Sequence, residues 1–224
     1  MMAFRMVREG FQARANHEER AMLSSLARDV VVLLGSDVEH EAERRAQAYD
    51  LDDPLAQFEA DIADIAESIA AENEPQVNQP FDQALDRLLP DMSEDPDEAA
   101  SLRDLTENSI AAAKIENLVT FYQDLEDVPD DQDEITLRGD QASAWLAALN
   151  DIRLVLAARL EIDDDESASD VYRRAGMFTT SGSRDTDNLP EIQTSDDVLV
   201  VLYSMTTWWQ DSLVSAVRRK GLRR

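Results

Sequence analysis

Two histidines, no cysteine and two dense acidic runs are what this sequence offers to site chemistry. An imidazole centre would have to use His17 or His40. His17 falls in the first turn of an expected helix, and His40 lies between Glu39 and Glu41 on a very polar one. Neighbouring helical residues point about 100° apart, so these three do not converge on one ion. Both histidines read as solvated surface residues. Zero Cys removes disulfides, thiolate nucleophiles, iron–sulfur clusters and sulfur-ligated zinc. The acidic runs are Asp130, Asp131, Asp133, Glu134 and Asp163, Asp164, Asp165, Glu166. Neither has the alternating acids, mid-loop Gly and final Glu of a calcium loop, so both read as solvated segments beside helix ends. Six Gly leave little material for a phosphate-cradling loop, and Ser181-Gly182-Ser183 sits in a polar stretch without a rigid elbow. The reading is therefore no catalytic residue, no metal and no cofactor: not an enzyme.

Two polar clusters carry weight beyond solvation. Asn150, Asp151 and Arg153, with Arg159, interrupt an otherwise apolar helix. They read as a structural hydrogen-bond network, with a binding role as the alternative. Trp208 stands about 100° around its helix from the core-facing Trp209, where an exposed indole would anchor a partner protein. The cluster Arg218, Arg219, Lys220, Arg223 and Arg224 has two readings. Cations favour a helix C-terminus, and a basic end also suits an acidic partner or a phosphate.

Charge frames both readings. Among 224 residues, 48 Asp and Glu oppose 21 Lys and Arg, a formal net charge of −27. Residues 1–28 carry +2 and residues 212–224 carry +5, which leaves −34 for the body between them. Phosphate neutralisation supplies most nucleic-acid affinity, so the body repels DNA and RNA and only the C-terminal end is open to them. The longest apolar run, Val198 to Tyr203, falls far short of the roughly 20 residues of a membrane span. The start has no apolar signal core, so the expected location is cytoplasmic.

The elements that position these residues are mostly helical. Phe4, Met6, Phe11 and Ala13 alternate around Glu9-Gly10, predicting a β-hairpin over 1–15. Asn16 and Glu19 form a capping box for a helix that Gly35 stops. Its apolar stripe is Met22, Leu23, Leu26, Val30, Leu33 and Leu34. Polar helix 38–49 follows, then a helix presenting Leu55, Phe58, Ile62, Ile65 and Ile69, and a linker over 72–80. A short helix between Pro80 and Pro90 precedes a long one from Asp95-Pro96 to about Leu125, with a bend or break near Thr106. Ile135 to Arg138 is a candidate third strand. Asp140 opens a helix with Trp145, Leu149, Ile152, Leu156 and Leu160 inward. Residues 163–195 read as a mobile polar loop. A final helix presents Val198, Leu202, Met205, Trp209 and Leu213. The fold class is mainly α, a single-domain helical bundle over 1–224 with a small N-terminal hairpin, and the two Trp-bearing helices at its centre.

Three stretches then fit a known pattern. They are Leu88-Leu89-Pro90-Asp91 with Asp95-Pro96-Asp97-Glu98 and Arg103-Asp104-Leu105-Thr106-Glu107-Asn108 plus Lys114; Trp145 to Leu156 with Arg159-Leu160; and Trp208-Trp209-Gln210-Asp211-Ser212-Leu213-Val214. With the Phe4-Arg5 start, the chain resembles an actinobacterial family of oxidative-stress transcriptional regulators of the AosR type. The resemblance implies a non-enzymatic cytoplasmic regulator acting by protein contact with a stress sigma factor or RNA polymerase. An accessory role in Clp-type proteolysis and direct DNA binding through the basic C-terminal tail are the alternatives. The family's cysteine-pair switch does not carry over to a chain without Cys. This leaves a partner or exposed Met residues as the place for oxidation.

Overall fold

The structure is a computed structural model that describes residues 1–50, 82–93, 95–175 and 193–221. The expected helix bearing Leu55 to Ile69, the linker 72–80, most of the 163–195 stretch beyond Ala175, and Arg223 and Arg224 lie outside the described residues. Within them run β1 (Met2–Met6), β2 (Gly10–Arg14), α1 (His17–Leu33), α2 (Val38–Asp50), α3 (Gln83–Leu88), α4 (Pro96–Glu126), β3 (Glu134–Arg138), α5 (Gln141–Arg159), α6 (Asp165–Arg174) and α7 (Ser195–Gly221). Helices dominate, and one antiparallel sheet of order β1-β2-β3 contains both the hairpin and the strand expected at Ile135.

The hairpin turns over Arg8 and Glu9, where Val7 N–H donates to Gly10 C=O at 3.0 Å. That is one residue earlier than expected, and Gly10 serves a different purpose. A Cβ on Gly10 would stand 1.8 Å from the Leu137 carbonyl oxygen, so β3 can lie beside β2 only if this residue lacks a side chain. Phe4, Phe11, Ala13, Ile135 and Leu137 face inward and are buried. On the outer face Gln12 accepts from Arg5 Nε at 3.0 Å and donates to Glu134 at 2.7 Å.

Four aromatic rings form the centre of the core. Trp145 of α5 stands edge-on to Trp209 of α7 at 5.6 Å and to Phe121 of α4 at 4.5 Å. Phe4 of β1 is 5.9 Å from Trp145 and 5.0 Å from Trp209. Each such pair contributes about 0.5–1.5 kcal/mol beyond area burial. The outer edge of β1 is closed by α7: Ser212 Oγ accepts from Phe4 N–H at 3.1 Å, and Trp209 Nε1 donates to Met2 C=O at 3.1 Å.

Asn16 and Glu19 form the expected capping box, and Gly35 ends α1 with φ of +86°. The buried face of α1 is Arg20, Leu23, Ser24, Ala27, Val30 and Val31, rotated from the expected stripe. The rotation follows from Arg20, which is 3% exposed yet charged. Its guanidinium donates to four carbonyls: Ala15 at 3.0 Å, Gln132 at 2.6 Å, Val128 at 3.1 Å and Pro129 at 3.2 Å. One cation thus fastens the start of α1 to the turn that leads from α4 into β3.

Three expectations need correction. Helix α4 is continuous through Thr106, whose hydroxyl donates to Leu102 C=O at 2.8 Å without breaking it. Helix α7 turns Val200, Tyr203, Thr206 and Thr207 inward and leaves Val198 42% exposed, because the core it meets includes the polar Arg153. The 163–195 stretch begins with a helix, α6, in place of a loop. Asp164 caps it by accepting from Ser167 N–H at 2.8 Å, and Val171 and Ala175 pack into the core.

Arg20→Met leaves four carbonyls without their donor. Urea denaturation should show a loss of about 3 kcal/mol, well beyond an ordinary surface substitution.

Candidate functional site

The polar residues of α5 sit at helical angles that aim them in different directions. Asp151 is buried and meets Lys114 of α4 at 2.5 Å. Arg153 lies about 200° further round and reaches α7, where its Nε donates to Thr207 Oγ1 at 2.9 Å and a second nitrogen donates to Gln210. Its guanidinium also lies over the Tyr203 ring at 5.7 Å. Arg159 forms a two-point pair with Asp82 at 2.8 and 2.7 Å, and Asp82 is the N-cap of α3. Asn150 is exposed and belongs to none of these. The expected single network is therefore three separate fasteners that tie α5 to α4, α7 and α3.

Sequence reasoning missed the partners, which lie 37 to 77 positions away in the chain. It also missed Asp124 on α4. Asp124 accepts from Trp145 Nε1 at 2.7 Å and from Gln141 Nε2 at 2.9 Å, which satisfies the one polar atom of the central indole. The spacing of Asp124 before Trp145 carries no signal, since an indole donor can reach a carboxylate from any element packed against it.

A polar cleft of about 520 Å³ opens beside this pair, between α2, the second half of α4 and the start of α5. Arg45, Glu116, Thr120, Asp124, Arg138 and Gln141 are among its lining residues. Its cations are engaged: Arg45 donates to Thr120 Oγ1 at 2.8 Å, and Arg138 lies 3.6 Å from Asp140. Among the described residues no group of three or more His, Cys, Asp or Glu side chains could hold a metal ion, and no helix is long and apolar enough to cross a membrane. His17 Nδ1 lies 3.1 Å from Asp130 at the surface, and His40 is exposed.

Trp208 is half-buried and packs against the core, so it is not the exposed anchor that its position predicted. The rotation of α7 explains this. Arg218 and Arg219 are exposed at the end of α7, whereas Lys220 lies 4.8 Å from the centre of the Phe11 ring, held by the sheet.

A family model described as a domain of unknown function, DUF2017, matches residues 1–217. The chain belongs to the DUF2017 family. This DUF2017 protein is also similar to proteins named oxidative stress regulator AosR, from Mycobacterium tuberculosis and from Mycobacterium bovis. Each is 36% identical over 114 residues, covering 45% of this chain and 51% of the relative. The chain thus spans about half the length of the curated relatives it matches. No solved structure matches it.

Two carboxyls of this DUF2017 chain, the buried Asp151 and the half-buried Asp124, make its stability depend on pH. Burial pushes Asp151 above the ordinary carboxylate range against the pull of Lys114, and burial does the same to Asp124 against its hydrogen bonds from Trp145 and Gln141. A raised folded-state pKa means that the folded protein holds the proton more tightly than the unfolded chain. The contribution is therefore complete below about pH 4 and is lost as pH rises through the raised values. Asp82, held low by Arg159, acts oppositely, and its contribution is lost as pH falls. Asp124→Asn keeps an acceptor for the indole and should flatten the decline in stability above about pH 4, read from urea midpoints across that range. Lys114→Met, which strands Asp151, should cost about 3 kcal/mol at neutral pH, and the double change with Asp151→Leu should recover most of it.

Proposed function

We propose that this protein is a non-enzymatic cytoplasmic regulator of the oxidative-stress response that acts by protein contact with a sigma factor or RNA polymerase. The observation that carries the reading is its likeness to the proteins named oxidative stress regulator AosR, 36% identical over 114 residues. The chemistry of the chain supports it. The polar residues on α5 that a catalytic or binding centre might have claimed are engaged in holding helices together. The charge of −27 suits basic surfaces on a partner, where complementary potentials speed encounter and set specificity.

Contact with protein is favoured over contact with DNA because the body between residues 29 and 211 carries −34 and repels phosphate on every face but the basic end. With no Cys, oxidation of the chain itself falls on methionine, and among the described residues Met2 and Met92 are the largely exposed ones, at 59% and 57%.

Crosslinked pull-down from a native lysate, with the bound proteins identified by mass spectrometry, should recover a sigma factor or a polymerase subunit. Arg218→Glu with Arg219→Glu should leave that recovery unchanged. Recovery of neither component by the wild-type chain would overturn the reading.

A further inference from the structure

Among the described residues, one edge of the three-stranded sheet is closed and the other is open. The β1 edge is closed by Ser212 and Trp209 of α7, whereas β3 pairs with β2 alone. The phase of the β2–β3 ladder decides which backbone groups are left over. Ala15 N–H donates to Asp133 C=O at 2.9 Å, in the register that pairs Arg14 with Glu134. Hydrogen-bonded pairs alternate in an antiparallel ladder, so Ala13–Ile135 and Phe11–Leu137 use their N–H and C=O between the strands. Those of Glu134, Thr136 and Arg138 point outward. Gln141 Oε1 takes the Arg138 N–H at 2.9 Å. Glu134 and Thr136 are exposed. A strand edge in this state is a template for a further strand.

Charge selects the occupant. At one end the edge is entered through Asp130, Asp131, Asp133 and Glu134. Asp130 is near His17, and Asp133 shares Arg14 at 3.5 Å, so the acids still outnumber their partners. At the other end Asp124, Asp127 and Asp140 line the cleft together with Arg45 and Arg138, and Lys220 Nζ would stand 3.5 Å from a Cβ on Gly139, so charge is balanced there and the surplus of acid lies at the first end. A second copy of this chain would bring the same acidic run to an edge that is itself acidic.

We infer that the β3 edge receives an extended basic segment of a partner protein as a fourth strand, its cationic side chains at the acidic Asp130–Glu134 end and a small or β-branched residue beside Thr136. The inference rests on the protein-contact reading above and assigns that contact a surface and a partner chemistry. Because Gln141 takes the Arg138 N–H, the only outward N–H groups left for the added strand among the described residues of β3 are those of Glu134 and Thr136. Binding is accordingly weak and falls with salt.

The test is a titration of the isotopically labelled full chain, followed by amide chemical shifts, with a capped peptide of alternating Lys and Val about seven residues long. Saturable shifts at the Glu134 and Thr136 amides are expected. The Glu–Val counterpart should bind at least about tenfold more weakly, and so should the Lys–Val peptide in ~0.5 M salt. Thr136→Pro deletes an outward N–H that the β2 ladder does not use, and should abolish the shift at Glu134. Should that variant fail to fold, Asp131→Lys with Asp133→Lys carries the test, with about tenfold weaker binding expected. No saturable shift at these amides up to millimolar peptide, equal binding of the two peptides, or a concentration-dependent doubling of mass through this edge would each overturn the inference. A folded Thr136→Pro chain that loses the peptide yet still recovers a sigma factor or polymerase subunit would remove the edge as the docking place and leave the proposed function standing. A wild-type chain that binds the peptide and recovers neither would sink the proposed function alone.

Discussion

The buried indole of Trp145 is the constraint from which the architecture follows. Its ring must be covered on every side, and its single N–H must find an acceptor in an apolar interior. Phe121, Trp209 and Phe4 meet the first demand and Asp124 meets the second. These four residues come from α4, α7 and β1, so satisfying one side chain of α5 fixes the positions of the three elements around it. The cost is a half-buried carboxyl group at the edge of the cleft, where partial burial disfavours its charge. Gln141, at the first turn of α5, supplies Asp124 with a second donor and thereby also fixes the approach of β3 into that helix.

Polar chemistry elsewhere in the molecule follows the same economy. Arg20, Asp151, Arg153 and Arg159 each spend their charge on joining two elements that apolar packing alone would leave free to slide. A buried ion pair such as Lys114–Asp151 adds little net stability over an apolar substitute, but it penalises every misaligned packing in which its charge is stranded. A helical bundle built this way has a well-specified interior, and what it offers to other molecules is its surface. That arrangement accords with a regulator that works by contact.

Much of this architecture could be read from local pattern. The Asn16–Glu19 box, the stop at Gly35, the alternation at Ile135 and the periodic Trp145 and Trp209 faces are signals that neighbouring residues carry themselves. The phase of α1 and α7 could not be read so well. Each buries polar residues, Arg20 in one and Thr207 and Gln210 in the other, whose partners lie far along the chain. An apolar stripe counts such positions as outward. Helix α6 was hidden for a related reason: its acidic first turn and few apolar residues look like loop composition until the Asp164 cap is seen. Of the candidate site, the importance of Asp151, Arg153 and Arg159 was legible as an interruption of an apolar helix. Their separation into three fasteners was not, because it depends on which helix lies on each side. Trp208 failed for want of the same information.

The closure of β1 by α7 has a consequence for how the chain acquires its shape during synthesis. The bonds from Phe4 to Ser212 and from Trp209 to Met2 span 208 and 207 positions, so a nascent chain emerging from the ribosome carries β1 with an unsealed edge until α7 has been made. Contacts this distant in sequence are among the slowest to form, and an open strand edge is the feature that invites association with the wrong chain. The hairpin must therefore wait, shielded by folding helpers or by the intervening helices, until α7 is made. The joining of β1 to α7 seals the sheet only after everything between them has been made, which makes the integrity of α7 a checkpoint for the elements folded before it.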